Sequence, residues 1–237
     1  MTRRRWIADE VTNGSAALTG AHAAHLSRTL RARVGQEFEV VCDDKVRRAT
    51  VASVTEERVE FTLAEQIAAG ATVPITLLLA VFKFDRMEWA IEKCTELNVS
   101  AMVPAIARRT EKHLALAAEK RVERWRRIAR EASEQARRFA PPEIADPVKL
   151  SSALEVVADA RIVLAESERE AQLSEILRER RELHSLALAI GPEGGWTVEE
   201  LQLFDKTGWN AASLGETILR AETAAIAALA VARAEFA

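Results

Sequence analysis

Ile190-Gly191-Pro192-Glu193-Gly194-Gly195-Trp196 closes the apolar run Leu186 to Ile190 and leads into Thr197, three residues ahead of Glu200. Five consecutive apolar residues are what a strand covered on both faces requires. Thr197 followed by Glu200 has the spacing of a capping box, which satisfies two backbone donors at a helix start. Between them the glycines admit positive φ or a close approach of a ligand to the backbone. The stretch therefore predicts strand, glycine-rich turn, helix. Taken by itself, a tight strand-to-helix connection explains it as well as a ligand loop does.

Working outward, the same alternation recurs. Ile75 to Val81 is an apolar run broken only by Thr76; Asp85 is placed to cap a helix carrying Met87, Ala90, Ile91, Cys94 and Leu97 on one side. Ala101 to Ile106 and Arg161 to Ala165 read as further strands, Glu119 to Arg138 as a helix, and alanine-rich Ala221 to Ala234 as a buried helix. Alternating strands and helices predict an α/β domain with a mainly parallel sheet over residues 74–237. Three segments of it follow strand ends: Val163 to Glu168, Ile190 to Trp196, and Leu214 to Ala224. Ligands of open α/β sheets gather in such loops.

Toward the N-terminus the period changes. Phe38 to Val41, Ala49 to Val54 and the strictly alternating Val59 to Leu63 read as strands, Gly14, Gly20, Gly35 and Asp43-Asp44 as turn points, and Ala21 to Ala32 as a short helix. These predict a small β-rich domain over residues 1–70, with closure as a barrel one outcome, and Ala68 to Pro74 as linker.

The 237 residues carry a net charge of -3, which argues mildly against a polyanion partner, but the average hides an asymmetry. Residues 108–138 hold eleven basic against five acidic side chains, and residues 139–237 nine against seventeen. A local basic excess is an electrostatic footprint if the fold exposes it. On the predicted helix, Trp125, Ile128, Ala129, Ala132 and Ala136 share an apolar face while Arg126, Arg130 and Arg137 form another stripe. A solvated helix face explains the arginines as readily as phosphate contact does. His22, His25, His113 and His184 are scattered, and Cys42 and Cys94 form no metal or redox motif, so no metal is expected and a reducing cytoplasmic setting is the simpler reading. The sequence lacks G-x-G-x-x-G, G-x-x-x-x-G-K-[ST] and H-E-x-x-H, which leaves little support for a dinucleotide fold, a P-loop or a zinc protease. No apolar run of membrane-spanning length and no secretory leader is expected.

Five ordered blocks carry a family resemblance: Arg4-Arg5-Trp6-Ile7 with His25 to Arg31 and Gly35; Lys83 to Arg86 with Lys93 to Val99; Trp125 with Glu131 to Arg138 and Pro142; Gly191 to Gly195; and Leu214 to Ala224. Together they resemble the bacterial small-subunit ribosomal RNA uridine-N3 methyltransferases, of the trefoil-knotted (SPOUT) class. Asn98 stands where that family usually has glycine, and asparagine tolerates the left-handed conformation; Ala136 stands where serine is common. The resemblance implies a knotted α/β domain behind a PUA-like N-terminal barrel, a homodimer, and methyl transfer from S-adenosylmethionine to N3 of a uridine near the decoding centre of 16S ribosomal RNA in the assembled small subunit. It further implies cofactor contacts from Leu164, Glu166, Gly191, Glu193, Gly194, Gly195, Leu214, Ile218 and Leu219, and RNA contacts from Arg4, Arg5, His25, Arg28, Arg31, Arg126, Arg130, Arg137 and Arg138. At the reacting end it implies Arg220 and Glu222. Glu222 either orients Arg220, accepts a proton, or satisfies backbone amides at a helix start. An RNA-binding or assembly protein that keeps the fold without catalysis, and a ribose 2′-O methyltransferase, are the rival readings.

Overall fold

The structure is a computed structural model, and it describes residues 5–43, 45–67, 72–180 and 182–236. Arg4 and the first part of the expected linker, residues 68–71, lie outside the described residues. The chain divides into two compact units, residues 1–71 with 133–141, and residues 72–132 with 142–237. Segment 133–141, within the 74–237 domain on the sequence reading, thus groups with the first unit.

In the first unit the strands are β1 (Trp6–Ile7), β2 (Glu10–Thr12), β3 (Ser15–Thr19), β4 (Glu37–Cys42), β5 (Lys45–Val54) and β6 (Arg58–Ile67), in sheet order β1-β4-β5-β6-β3-β2. Pairing is antiparallel except β1 with β4, and β5–β6 shifts register twice, between Arg47 and Ala49 and between Val51 and Ser53. Such irregularities bend a sheet. Alternation along β6 buries Val59 and Phe61 against Trp6, Leu18, Leu26 and Phe38. The expected short helix is α1 (Gly20–Ala24) running into a π-helical turn, His25–Thr29.

The second unit contains β7 (Ile75–Ala80), α2 (Phe84–Glu96), β8 (Ala101–Ile106), α3 (Lys112–Ala117), α4 (Val122–Gln135), β9 (Glu143–Ile144), β10 (Val148–Lys149), α5 (Leu150–Ala153), β11 (Ala160–Leu164), α6 (Leu173–Arg178), β12 (Leu186–Ile190), α7 (Val198–Lys206), β13 (Asn210–Ala212) and α8 (Ala221–Glu235), the last turn of α4 falling in the segment that groups with the first unit. Its sheet is all parallel, in order β10-β8-β7-β12-β11-β13 with β9 also beside β8. The apolar runs are continuous because both faces are covered: Ile75, Leu77 and Leu79 pack into one core with Met87, Ile91, Ala225 and Leu229, and Leu78 and Ala80 into another with Trp196, Phe204 and Trp209. Helix α8 is an intrachain core helix with Ala225, Ala228, Leu229 and Ala232 buried.

Three local expectations need correction. The N-cap of α2 is Lys83, and Asp85 lies inside the first turn without a capping bond, its place there being favoured by the helix dipole. Helix α4 stops at Gln135; Arg137 adopts left-handed φ 59 beyond its end, so it leaves the stripe of Arg126 and Arg130. Strands β1 to β3 escaped the sequence reading because two are only two and three residues long. Asn98 takes the left-handed conformation, φ 64, that its side chain tolerates.

Candidate active site

The ends of β11, β12 and β13 open onto a cleft of about 1050 Å³, wholly within the second unit. Of the residues expected to hold cofactor, Leu164, Glu166, Gly191, Glu193, Gly195, Leu214, Ile218 and Leu219 line it; Gly194 sits in the same loop, facing Arg109. Arg220 lines it too.

Each wall has a local cause. The loop after β12 is fixed by its neighbours: the Trp196 indole donates to the Leu164 carbonyl at 3.1 Å, joining the ends of β12 and β11. A Cβ on Gly191 would come within 3.3 Å of that indole, and one on Gly194 within 3.1 Å of the Arg109 side chain. These two glycines thus make room for Trp196 and Arg109. Gly195 differs: its φ of +68 is the reason for glycine, and a Cβ there would meet the Glu166 carboxylate at an ordinary 3.8 Å. Arg109 donates to the carbonyls of Gly194 and Trp196, clamping the loop from the β8 side. The expected capping box is present at Thr197 and Glu200, and buried Glu200 also accepts the Arg108 amide at 2.8 Å.

The loop after β11 is braced by Glu168, whose carboxylate accepts the amides of Glu170 (2.9 Å) and Ala171 (3.1 Å); these bonds hold its carboxyl below the usual range. Ser213, just past β13, donates its amide to the Ala171 carbonyl and accepts from the Leu173 amide, so the third segment runs against this loop. From Glu216 to Leu219 the backbone amides donate to no described residue, and Ile218 is 77% exposed on the cleft wall. A pocket wall of unpaired donors and an apolar side chain fits the edge and face of a heteroaromatic ring, while Glu166 and Glu193 offer carboxylates for cationic groups. The donor set therefore suits S-adenosylmethionine.

Glu222 departs from expectation. It is buried, it makes no capping bond, and its partner is Arg86 on α2, Nη1 to Oε1 3.5 Å, instead of Arg220. Arg86 lines the cleft. Sequence reasoning placed Arg86 in a matched block without a role, and it missed Arg109 and Trp196, whose parts appear only through tertiary contacts.

Most residues expected to contact RNA have partners inside the protein. Arg5 is buried, bonded to Glu39 at 2.7 and 3.0 Å and to the Arg137 carbonyl, with Phe139 under its guanidinium. The RNA contact expected of Arg5 thus falls on a guanidinium already engaged within its own unit. His25 packs its ring on Trp6, Arg28 pairs with Glu56, and Arg137 pairs with Glu39 at 3.2 Å. Arg126 bonds the Ile144 carbonyl, Asp146 and Glu123. Arg130 and Arg138 are half-buried. Arg31 stands exposed at φ 51.

A profile of the RNA methyltransferase domain matches residues 69–233. "Ribosomal RNA small subunit methyltransferase E" of Synechocystis is 32% identical over 229 residues, covering 94% of this chain and 74% of its own length. The chain belongs to the ribosomal RNA small subunit methyltransferase E family. The Bacillus subtilis member is 30% identical, covering 90% of this chain and 87% of its own. A family member from Neisseria gonorrhoeae, solved bound to S-adenosyl methionine, superposes with TM-score 0.87 at 27% identity over 98% of both chains. A putative methyltransferase from Legionella pneumophila, solved in complex with the same cofactor, gives 0.83 at 29% over 97% and 96%. The family's α/β methyltransferase fold accounts for the parallel sheet. Among the described residues no helix is long and apolar enough to cross a membrane, and no cluster of His, Cys, Asp and Glu is placed to hold a metal ion.

Proposed function

We propose that the chain methylates N3 of a uridine in 16S ribosomal RNA of the assembled small ribosomal subunit, in the cytoplasm, as a homodimer. The observation that carries the reading is the cleft at the ends of β11, β12 and β13, where unpaired amides of Glu216 to Leu219 lie beside the exposed Arg220. When bound there, S-adenosylmethionine supplies an electrophilic methyl group. Glu166, Gly195 and the 214–219 segment hold the donor, and Trp196 and Arg109 keep their loop in place. Uracil N3 is a poor nucleophile until its proton leaves. An arginine is too basic to take that proton, so Arg220 acts by stabilising the charge that develops on a uracil oxygen. Glu222, behind Arg86, acts through Arg86.

Two structural expectations belong to the same proposal. The segment after β13 bonds into the loop after β11 before reaching α8, the kind of passage a C-terminal trefoil knot needs, although knots are rare. The mostly antiparallel, twice-bulged sheet of the first unit suits a PUA-like barrel that binds RNA, with Arg31 among its exposed cations. The test is to incubate the protein with methyl-labelled S-adenosylmethionine and either small subunits or free 16S ribosomal RNA, then identify the labelled nucleoside. Label in N3-methyluridine, from subunits in preference to free RNA, is expected. Ribose label would overturn the N3 assignment, and bound but unlabelled RNA would favour an assembly protein without catalysis.

A further inference from the structure

The Arg86–Glu222 pair serves neither the strand-end loops nor the folding cores. Glu222 is the second residue of α8 and Arg86 the third of α2, so the first turns of two helices meet at this contact. At the other end Arg233 of α8 donates to the carbonyls of Leu97 and Asn98, just past α2, so the helices run side by side in the same direction. Both positive dipole ends therefore point toward the same edge of the cleft.

The charges there do not balance. The Glu222 carboxylate is 6% exposed; one oxygen meets Arg86 and the other, Oε2, has no hydrogen-bond partner among the described residues. Arg86 is 32% exposed, and its one partner among the described residues sits at 3.5 Å, which leaves most of the five guanidinium N–H donors unused on the cleft wall. Arg220, the N-cap of α8, adds a second cation on the same wall. The buried Glu222 carboxylate and Asp85, each in the first turn of its helix, answer the two helix N-termini. The outward donors of Arg86 and the Arg220 guanidinium are left for an anion, and a planar fork selects one with paired oxygens.

We propose that Arg86, held in place by Glu222, binds a phosphodiester group flanking the target nucleotide. This rests on the rRNA reading above. A structural ion pair would bury both partners, whereas here only the carboxylate is withdrawn and the guanidinium is left at the cleft.

Removing Arg86 alone would strand a buried carboxylate, so the variant to make is Arg86→Gln with Glu222→Gln, compared with Arg86→Lys. Calorimetry with S-adenosylmethionine and filter binding to small subunits at several salt concentrations give separate readouts. The double variant should keep donor affinity within about twofold, weaken subunit binding about tenfold and make the log–log salt slope shallower by about 0.7–0.9, as loss of one phosphate contact requires; Arg86→Lys should keep the slope. Wild-type subunit affinity and slope in the double variant would overturn the proposal, as would a loss confined to donor affinity, which would put Arg86 on the donor carboxylate. Arginine modification of the native protein with phenylglyoxal, mapped by mass spectrometry, gives a check free of any folding defect. Protection of Arg86 by small subunits and not by the donor is expected; protection by the donor alone, or none by subunits, overturns it. Wild-type protein that labels another atom of the RNA would defeat the N3 reading and leave this inference standing.

Discussion

At the scale of single residues, the cleft assigns different reasons to neighbouring glycines, and each reason predicts its own defect. Gly195 has φ +68 with only ordinary contacts around its missing Cβ, so Gly195→Val acts through backbone strain: a β-branched residue disfavours that conformation. The loop should shift, and donor affinity should fall at least tenfold, about 1.4 kcal/mol. Calorimetry on the folded variant checks this, and native affinity would refute the placement. Gly191→Ala should instead act through the Trp196 indole, 3.3 Å from the new Cβ. Arg220 is exposed on the cleft and is the N-cap residue of α8 without a side-chain capping bond, so Arg220→Ala should spare the fold. Single-turnover methyl transfer should drop about 100-fold if the residue stabilises developing charge, with donor affinity changed little. Normal single-turnover chemistry would remove Arg220 from the catalytic group.

Among elements, the reading from sequence succeeded where a short motif fixes local geometry and failed where a side chain's partner lies far along the chain. The Thr197–Glu200 spacing was legible because a capping box is written within four residues. The buried-strand runs of β7 and β12 were legible because a half-exposed strand alternates, whereas Leu77 to Ala80 and Leu186 to Ile190 are apolar in succession. Nothing local reveals that Arg5 meets Glu39, that Arg28 meets Glu56, or that Arg126 turns back to Ile144; a basic stretch looks the same whether it faces RNA or its own acids. Helix α7 provides a test at this scale. Thr197→Ala removes one half of the box and should cost about 1 kcal/mol. Glu200→Ala should cost more, roughly 2–3 kcal/mol, because the amides of Arg108 and Thr197 both lose a buried acceptor. Urea melts rank the two, and an equal cost would mean that the Arg108 contact contributes nothing.

Across the whole molecule, the cleft is assembled from segments distant in sequence, and this explains which half of it could be foreseen. The three strand-end loops carry motifs dense in glycine and polar residues, so their convergence followed from strand order alone. Arg86 and Arg109 come from α2 and the loop after β8, where single arginines have no signature; only the sheet order, with β7 beside β12 and β8 beside β7, brings them to the same space. The three loops are also bonded to one another. Trp196 holds the end of β11, Ser213 bonds the loop after β11, and Arg109 clamps the glycine loop. A donor bound between them should therefore slow exchange at all three sites together, because ordering one loop removes part of the cost of ordering the next. Hydrogen–deuterium exchange with and without S-adenosylmethionine should show added protection over residues 165–172, 191–197 and 213–220, strongest at the amides of Glu216 to Leu219, which donate to no described residue. At a donor concentration of 100 times Kd the accompanying stabilisation should be about 2.7 kcal/mol, seen as a higher melting temperature. Protection confined to one loop would mean that the donor binds at a single wall and that the bonds joining the loops carry no coupling.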